Sequence, residues 1–153
     1  EIGPSGKILP LSVLDLVRYW PLRVGEDARA WIAENMSAGR VGPVSIKTNI
    51  GPGQLDAPAL PESAIDLQLP ISGASVTYVK GMTPLTQVRG VAMLSGDTFK
   101  AQIASGRLGP LVVQKGAVVI PQLHRHGTVG DIAATVSGTM RDVLKILDEK
   151  PLQ

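Results

Sequence analysis

The sequence predicts an α+β domain: an N-terminal helical pair, a curved antiparallel β-meander of seven or eight strands forming an open, groove-like sheet, and a C-terminal helix. Three observations predict it. From Val44 onward apolar residues recur at alternate positions: Val44, Ile46 and Ile50, then Ile65, Leu67, Leu69 and Ile71, then Phe99, Ala101 and Ile103, then Ile132, Ala134 and Val136. Asp66, Gln68, Lys100, Gln102, Thr135 and Ser137 stand between them, so each strand buries one face and wets the other. Ser-Gly pairs at 72–73, 95–96, 105–106 and 137–138, with Lys115-Gly116, punctuate this stretch at hairpin intervals. At both ends of the chain the apolar spacing is helical instead.

Taken in order, residues 1–9 read as a leader or a scar, and 10–150 as a single domain excised from a longer protein, since the chain has no initiator Met. Leu11, Leu14 and Val17 predict a helix over 10–20, ended by Pro21. Glu26 and Asp27 at a helix N-terminus, the stripe Ala28, Trp31, Ile32 and Met36, and Gly39 as a left-handed cap predict a second helix over 25–38. The sheet spans 41–138. Its first strand is 41–50, and a Pro/Gly-rich loop runs from Gly51 to Pro61; the meander follows as 64–72, 74–80, 88–95, 97–105, 110–115, 116–122 and 131–138. A last helix over 139–149 takes Thr139 as N-cap, carries Met140, Val143, Leu144 and Leu147, and stops before Pro151.

Composition excludes several functions. With no cysteine there is no disulfide, thiolate nucleophile or cysteine-ligated metal. Residues 1–76 hold 6 Lys/Arg against 8 Asp/Glu and residues 77–153 hold 9 against 5, a tilt too diffuse for a nucleic-acid footprint. No apolar run approaches the ~18 residues of a membrane span. His124 and His126 share a strand face, yet only Asp131 stands near them as a further ligand, so they read as loop residues and no metal is expected. Gly51-Pro52-Gly53 lacks the Lys-Ser or Lys-Thr of a phosphate loop. Asp56, Glu62 and Asp66 lack an apolar pocket to raise a carboxyl pKa. No catalytic residue and no cofactor is expected.

The apolar face is light, built of Val, Ile, Leu and Ala with almost no rings. Two readings follow. In one it is an ordinary core closed by the three helices. In the other, the strands present more area than those helices can shield, and an aliphatic trough stays open to acyl chains. The residues facing lipid would then be Ile65, Leu67, Leu69, Ile71, Val76, Tyr78, Ala92, Leu94, Phe99, Ala101, Ile103, Val118 and Ile120.

The stretches Tyr19-Trp20-Pro21, Ala28-Arg29-Ala30-Trp31-Ile32-Ala33-Glu34-Asn35-Met36 and Gly39-Arg40-Val41 resemble the conserved block of the AsmA-like, YhdP-type proteins of Gram-negative bacteria. Pro84-Leu85, Gly90-Val91-Ala92, Leu94-Ser95-Gly96, Ser105-Gly106-Arg107 and Gly116 through Pro121 are similar to that family's meander. The resemblance implies a periplasmic slice of a parent protein anchored in the inner membrane. In that role the sheet would be a segment of a groove for phospholipid moving between the inner and outer membranes, or would serve envelope biogenesis more loosely. Its partners would be phospholipid acyl chains and adjacent segments of the parent. It carries over no catalytic residue, and Trp20, Pro21, Arg29, Trp31, Asn35 and Gly39 match its motif as structural positions. From the residues themselves, Trp31 is expected to pack its helix on the sheet, Gly39 to end that helix and Pro21 to separate the two helices. The alternative is a structural or interaction module of the envelope with a fully capped sheet and no ligand.

Overall fold

In the computed structural model, which describes residues 5–20, 26–56, 61, 63–122 and 130–149, nine strands form one antiparallel sheet that stays open, with helices at both ends of the chain. The chain begins with β1 (Ser5–Ile8), β2 (Leu11–Ser12) and α1 (Val13–Tyr19), then α2 (Glu26–Asn35), β3 (Met36–Val41) and β4 (Val44–Thr48). Four long strands follow, β5 (Ile65–Val76), β6 (Leu85–Ser95), β7 (Thr98–Leu108) and β8 (Leu111–Ile120), and the chain ends in β9 (Asp131–Ser137) and α3 (Met140–Leu147). The order across the sheet is β1-β4-β5-β6-β7-β8-β9, with β3 also on β5 and β2 on β3.

β3 and β4 together make one edge along β5, since β4 pairs with residues 65–68 and β3 with residues 71–76. Between them the Gly42 N–H donates to the Pro70 carbonyl at 2.8 Å, across the cis Gly42-Pro43 step. This accounts for a proline inside a central strand. The N and C=O of one residue point to the same side of an antiparallel strand, so the donor that Pro70 lacks would face the gap between β3 and β4.

The expected alternation holds, but it changes phase once in each long strand. On the apolar face β5 presents Ile71 and then Ala74, β6 Val88 and then Leu85, β7 Ile103 and then Gly106, and β8 Gly116 and then Val113. Each strand steps by three residues where the pairing register shifts, a β-bulge, and the bulges lie side by side across the sheet. The breaks expected at 72–74 and 115–116 are two of these bulges. Residues 64–72 and 74–80 are therefore the single strand β5, ending at Val76, and 110–115 and 116–122 are the single strand β8, ending at Ile120.

Three N-terminal expectations also change. Residues 5–8, assigned to a leader on composition, are an edge strand in register with Val44–Lys47. The first helix is shorter by one turn, because Leu11 and Ser12 pair with Val41 and Arg40 before Ser12 caps α1. Its hydroxyl accepts from the Asp15 N–H at 3.1 Å and donates to the Asp15 carboxylate at 2.7 Å. The second helix ends at Asn35 rather than Gly39, and residues 36–41 join the sheet. There Gly39, with φ +105°, is the bulge residue of β3, whose absent Cβ would lie 2.6 Å from the Ala74 Cα. The expected strand 41–50 thus divides into β3 and β4. At the other end Thr139 caps α3 as expected, accepting from the Asp142 N–H at 3.3 Å.

The core lies between the N-terminal helices and one end of the sheet. Val13, Leu16 and Trp20 at the first helix and Ile32 of the second join Val41, Val44, Ile65, Leu67, Leu69, Ala74, Val88, Ala92 and Leu94 in one cluster. No polar or charged residue among the described ones is buried with them.

Candidate functional site: the uncovered part of the apolar face

Following one row across the strands shows where cover ends. Leu69, Ala92, Ala101, Val118 and Ile132 are successive cross-strand neighbours from β5 to β9. Leu69 and Ala92 are 5% and 4% exposed, Ala101 and Val118 are half-buried, and Ile132 is 67% exposed. The neighbouring row, Leu67, Leu94, Phe99 and Ile120, runs the same way, from buried at Leu67 and Leu94 to half-buried at Phe99 and Ile120. A third row, Ile71, Gly90, Ile103, Gly116 and Ala134, forms a low floor, because two of its five positions have no side chain. Ile103 lies over Gly116, where an added Cβ would stand 3.3 Å from the Ile103 Cβ. The upper part of β7 to β9 is thus an aliphatic surface with one wall of buried core and one open edge.

Below the bulges the same face is closed again. Leu111 and Val113 are 2% and 3% exposed, and Leu111 fills the space beside Gly138 at the entry to α3. α3 meets the sheet end through Ile146, its buried residue, whose Cδ1 stands 3.9 Å from the Cβ position of Gly109 in the β7–β8 turn. Met140, Leu144 and Leu147, three of the four apolar residues the sequence places on this helix, are 73%, 58% and 56% exposed. The eight-residue helix is placed so that position 146, not the 140/144/147 stripe, faces the protein.

Glu149 secures this helix. Its carboxylate accepts the Thr83 backbone N–H at 2.7 Å and the Thr83 hydroxyl. Those bonds, the hydroxyl's first and then the backbone's, hold the Glu149 carboxyl below its ordinary 4.5. A group depressed on folding contributes stability above its unfolded pKa and loses it as pH falls through the folded value. Amide protection in α3, relative to the unfolded chain at the same pH, is therefore expected to fall as pH drops below about 4.5 while that of β5 and β6 holds, and Glu149→Gln should abolish that dependence. The other charged link to the β5–β6 connection, Lys80 to Glu34 at 2.7 Å, is solvated on both partners and contributes little.

The thirteen residues expected to face lipid divide accordingly. Ile65, Leu67, Leu69, Ala92 and Leu94 are closed core under the N-terminal helices and are not available to a ligand. Ile71, Val76, Phe99 and Ile103 are half-buried at the margin of that core, and Ala101, Val118 and Ile120 lie on the open part. Tyr78 lies beyond the end of β5, outside the sheet; burial first, and then the Glu149 charge, push its hydroxyl pKa up. Ile132, Ala134 and Val136 complete the open surface. Their alternation is plain in the sequence, and what hid them is that edge position is a property of the sheet order.

Of the motif positions, Trp20 is buried, while Trp31 is 39% exposed and leaves the packing of its helix to Ile32. Arg29 Nε donates to the Val17 carbonyl at 3.1 Å, tying the second helix to the first. Asn35 donates to the Trp31 carbonyl at 2.9 Å, and its own carbonyl accepts the Thr77 N–H, which closes the helix end that Gly39 was expected to close. Pro21, His124 and His126 lie outside the described residues. Among the described residues no group of three metal-ligating side chains converges.

A one-sided open sheet, roofed at one end by helices and uncovered at the other, defines a β-rich module with an exposed apolar surface. The chain belongs to the YhdP family, a family of bacterial envelope proteins: the family model described as YhdP protein matches residues 5–153. Its role is envelope-associated. No curated protein and no solved structure matches it significantly. No helix among the described residues is long and apolar enough to cross a membrane.

Proposed function

We propose that this domain is a non-enzymatic lipid-handling module whose uncovered β7–β9 surface shields phospholipid acyl chains. The observation that carries the reading is the gradient along Leu69, Ala92, Ala101, Val118 and Ile132, from 5% to 67% exposed on a continuous aliphatic face. Each methylene laid there contributes about 0.8 kcal/mol when fully covered, so a half-covered chain of roughly ten carbons gains several kcal/mol before ordering costs. That suits holding and release. In the periplasm, within a parent anchored in the inner membrane, such a surface serves as one segment of a path between the two membranes.

Gentle purification followed by lipid extraction and mass spectrometry tests it. Stoichiometric phospholipid is the expected result; a lipid-free domain that takes up no apolar dye overturns the proposal. A second reading, a structural module whose open edge joins adjacent segments of the parent, draws support from β9. All seven of its residues are exposed and its outer backbone has no strand partner among the described residues. On that reading the same face is closed by polypeptide and no lipid is recovered.

A further inference from the structure

We propose that the opposite, polar face of the sheet is a docking surface for an anionic lipid bilayer. The whole chain is close to neutral, with 15 Lys/Arg against 13 Asp/Glu. The strands are not. They carry seven cations, Lys7, Arg40, Lys47, Arg89, Lys100, Arg107 and Lys115, and the register puts all of them on one face. Lys7 and Lys100 share a row through Ser45, Gln68 and Met93, Arg40 and Arg89 flank Ser72, Lys47 faces Asp66, Arg107 faces Thr86 and Val112, and Lys115 faces Thr135. All seven are exposed. The strands carry two carboxylates, Asp66 and Asp131, both above the bulges.

Arg40, Arg89 and Lys115 stand at the bulges and Arg107 below them, with no acidic residue in those rows or in the strand segments beyond them. Arg89 and Arg107 are diagonal cross-strand neighbours, about 7–8 Å apart at the backbone, inside the Debye length of about 8 Å at physiological salt. Lys47 stands opposite Asp66, whereas the other six have no carboxylate directly across from them on a neighbouring strand. Their mutual repulsion is relieved by an external anionic surface.

The character of the face selects the partner. Its remaining side chains are Ser, Thr, Gln, Ala, Val, Met and Pro; no aromatic residue lies on it to stack a base or anchor a protein hot spot. The cations spread from β1 to β8, five strand spacings or roughly 24 Å. Broad, anchor-free positive charge fits a plane of lipid phosphates better than a compact acidic motif.

Flotation of the 153-residue chain with vesicles tests this. Binding is expected to vesicles of phosphatidylcholine mixed with phosphatidylglycerol, not to phosphatidylcholine alone, and to vanish in molar salt. The triple variant Arg89→Glu/Arg107→Glu/Lys115→Glu should bind about a hundredfold more weakly while melting like the parent. The same charge change at Lys80, Arg141 and Lys145, all exposed and off the sheet, should cost far less. Equal binding to both vesicle types, or equal loss in the two triple variants, overturns the proposal. So does binding of soluble polyglutamate without vesicle binding, which assigns the face to an acidic polypeptide. Hydrocarbon uptake by the other face persists in high salt, so the two proposals fail separately.

Discussion

Leu67→Asp is expected to unfold the domain, whereas Ile132→Asp, on the same face of the same sheet, leaves it folded and strips it of acyl chains. Leu67 is 7% exposed, packed in the cluster that includes Leu16, Trp20, Leu69 and Leu94, and among the described residues no polar or charged side chain is buried there to receive a carboxylate. The substitution removes a buried leucine and adds a desolvated charge, together costing more than about 4 kcal/mol. A domain of ordinary stability holds about 5–15 kcal/mol in total, so this change takes it to or past its limit. Ile132 is 67% exposed on the last strand, where an aspartate stays in water and stability shifts by about 0.5 kcal/mol or less. For a hydrocarbon tail on that surface the same aspartate is a charge against methylene, and bound lipid should fall to background. Urea denaturation and lipid mass spectrometry on the two variants read the effects separately. Full lipid occupancy in Ile132→Asp, with Val118→Asp equally loaded, would remove the open surface from the function.

The contrast between those two leucine-like positions also marks what the sequence could and could not disclose. Alternation identified the apolar face correctly on β5, β7 and β9, because period two follows from the strand itself. It could not say which part of that face is roofed, because cover depends on where α1 and α2 dock, and docking is decided by distant partners such as Val41 and Val44. The bulges were visible as Ser72-Gly73 and Lys115-Gly116 but imitated turns, since a phase change in the alternation and a chain reversal use the same small residues. β1 was lost for a related reason. Four residues, Ser-Gly-Lys-Ile, carry no pattern of their own, and they form a strand through pairing with Val44–Lys47. The polar face's charge was legible only as scattered lysines and arginines until the register collected them.

Gly39→Ala is expected to be among the most damaging small substitutions in the chain, and Gly73→Ala, one strand away, among the mildest at a positive φ. Both glycines sit at bulges, with φ +105° and +66°. At Gly73 an added methyl meets nothing within 4 Å, so the cost is the left-handed backbone alone, about 1 kcal/mol. At Gly39 the methyl would stand 2.6 Å from the Ala74 Cα and 2.8 Å from its nitrogen. Those are backbone atoms of a fully buried residue, so no rotamer change can make room, and β3 must move away from β5. Strain and overpacking together predict a loss of about 3 kcal/mol or more. Separation there would also reach the roof, because β3 carries Met36 and Val41 into the cluster that holds the N-terminal helices over the sheet. Gly39→Ala should therefore expose Leu67 and Leu69 to an apolar dye before global unfolding, while Gly73→Ala binds dye like the parent. Equal melting temperatures for the two variants would mean that the close approach of β3 to Ala74 is not what holds this edge, and that the roof is fixed from elsewhere.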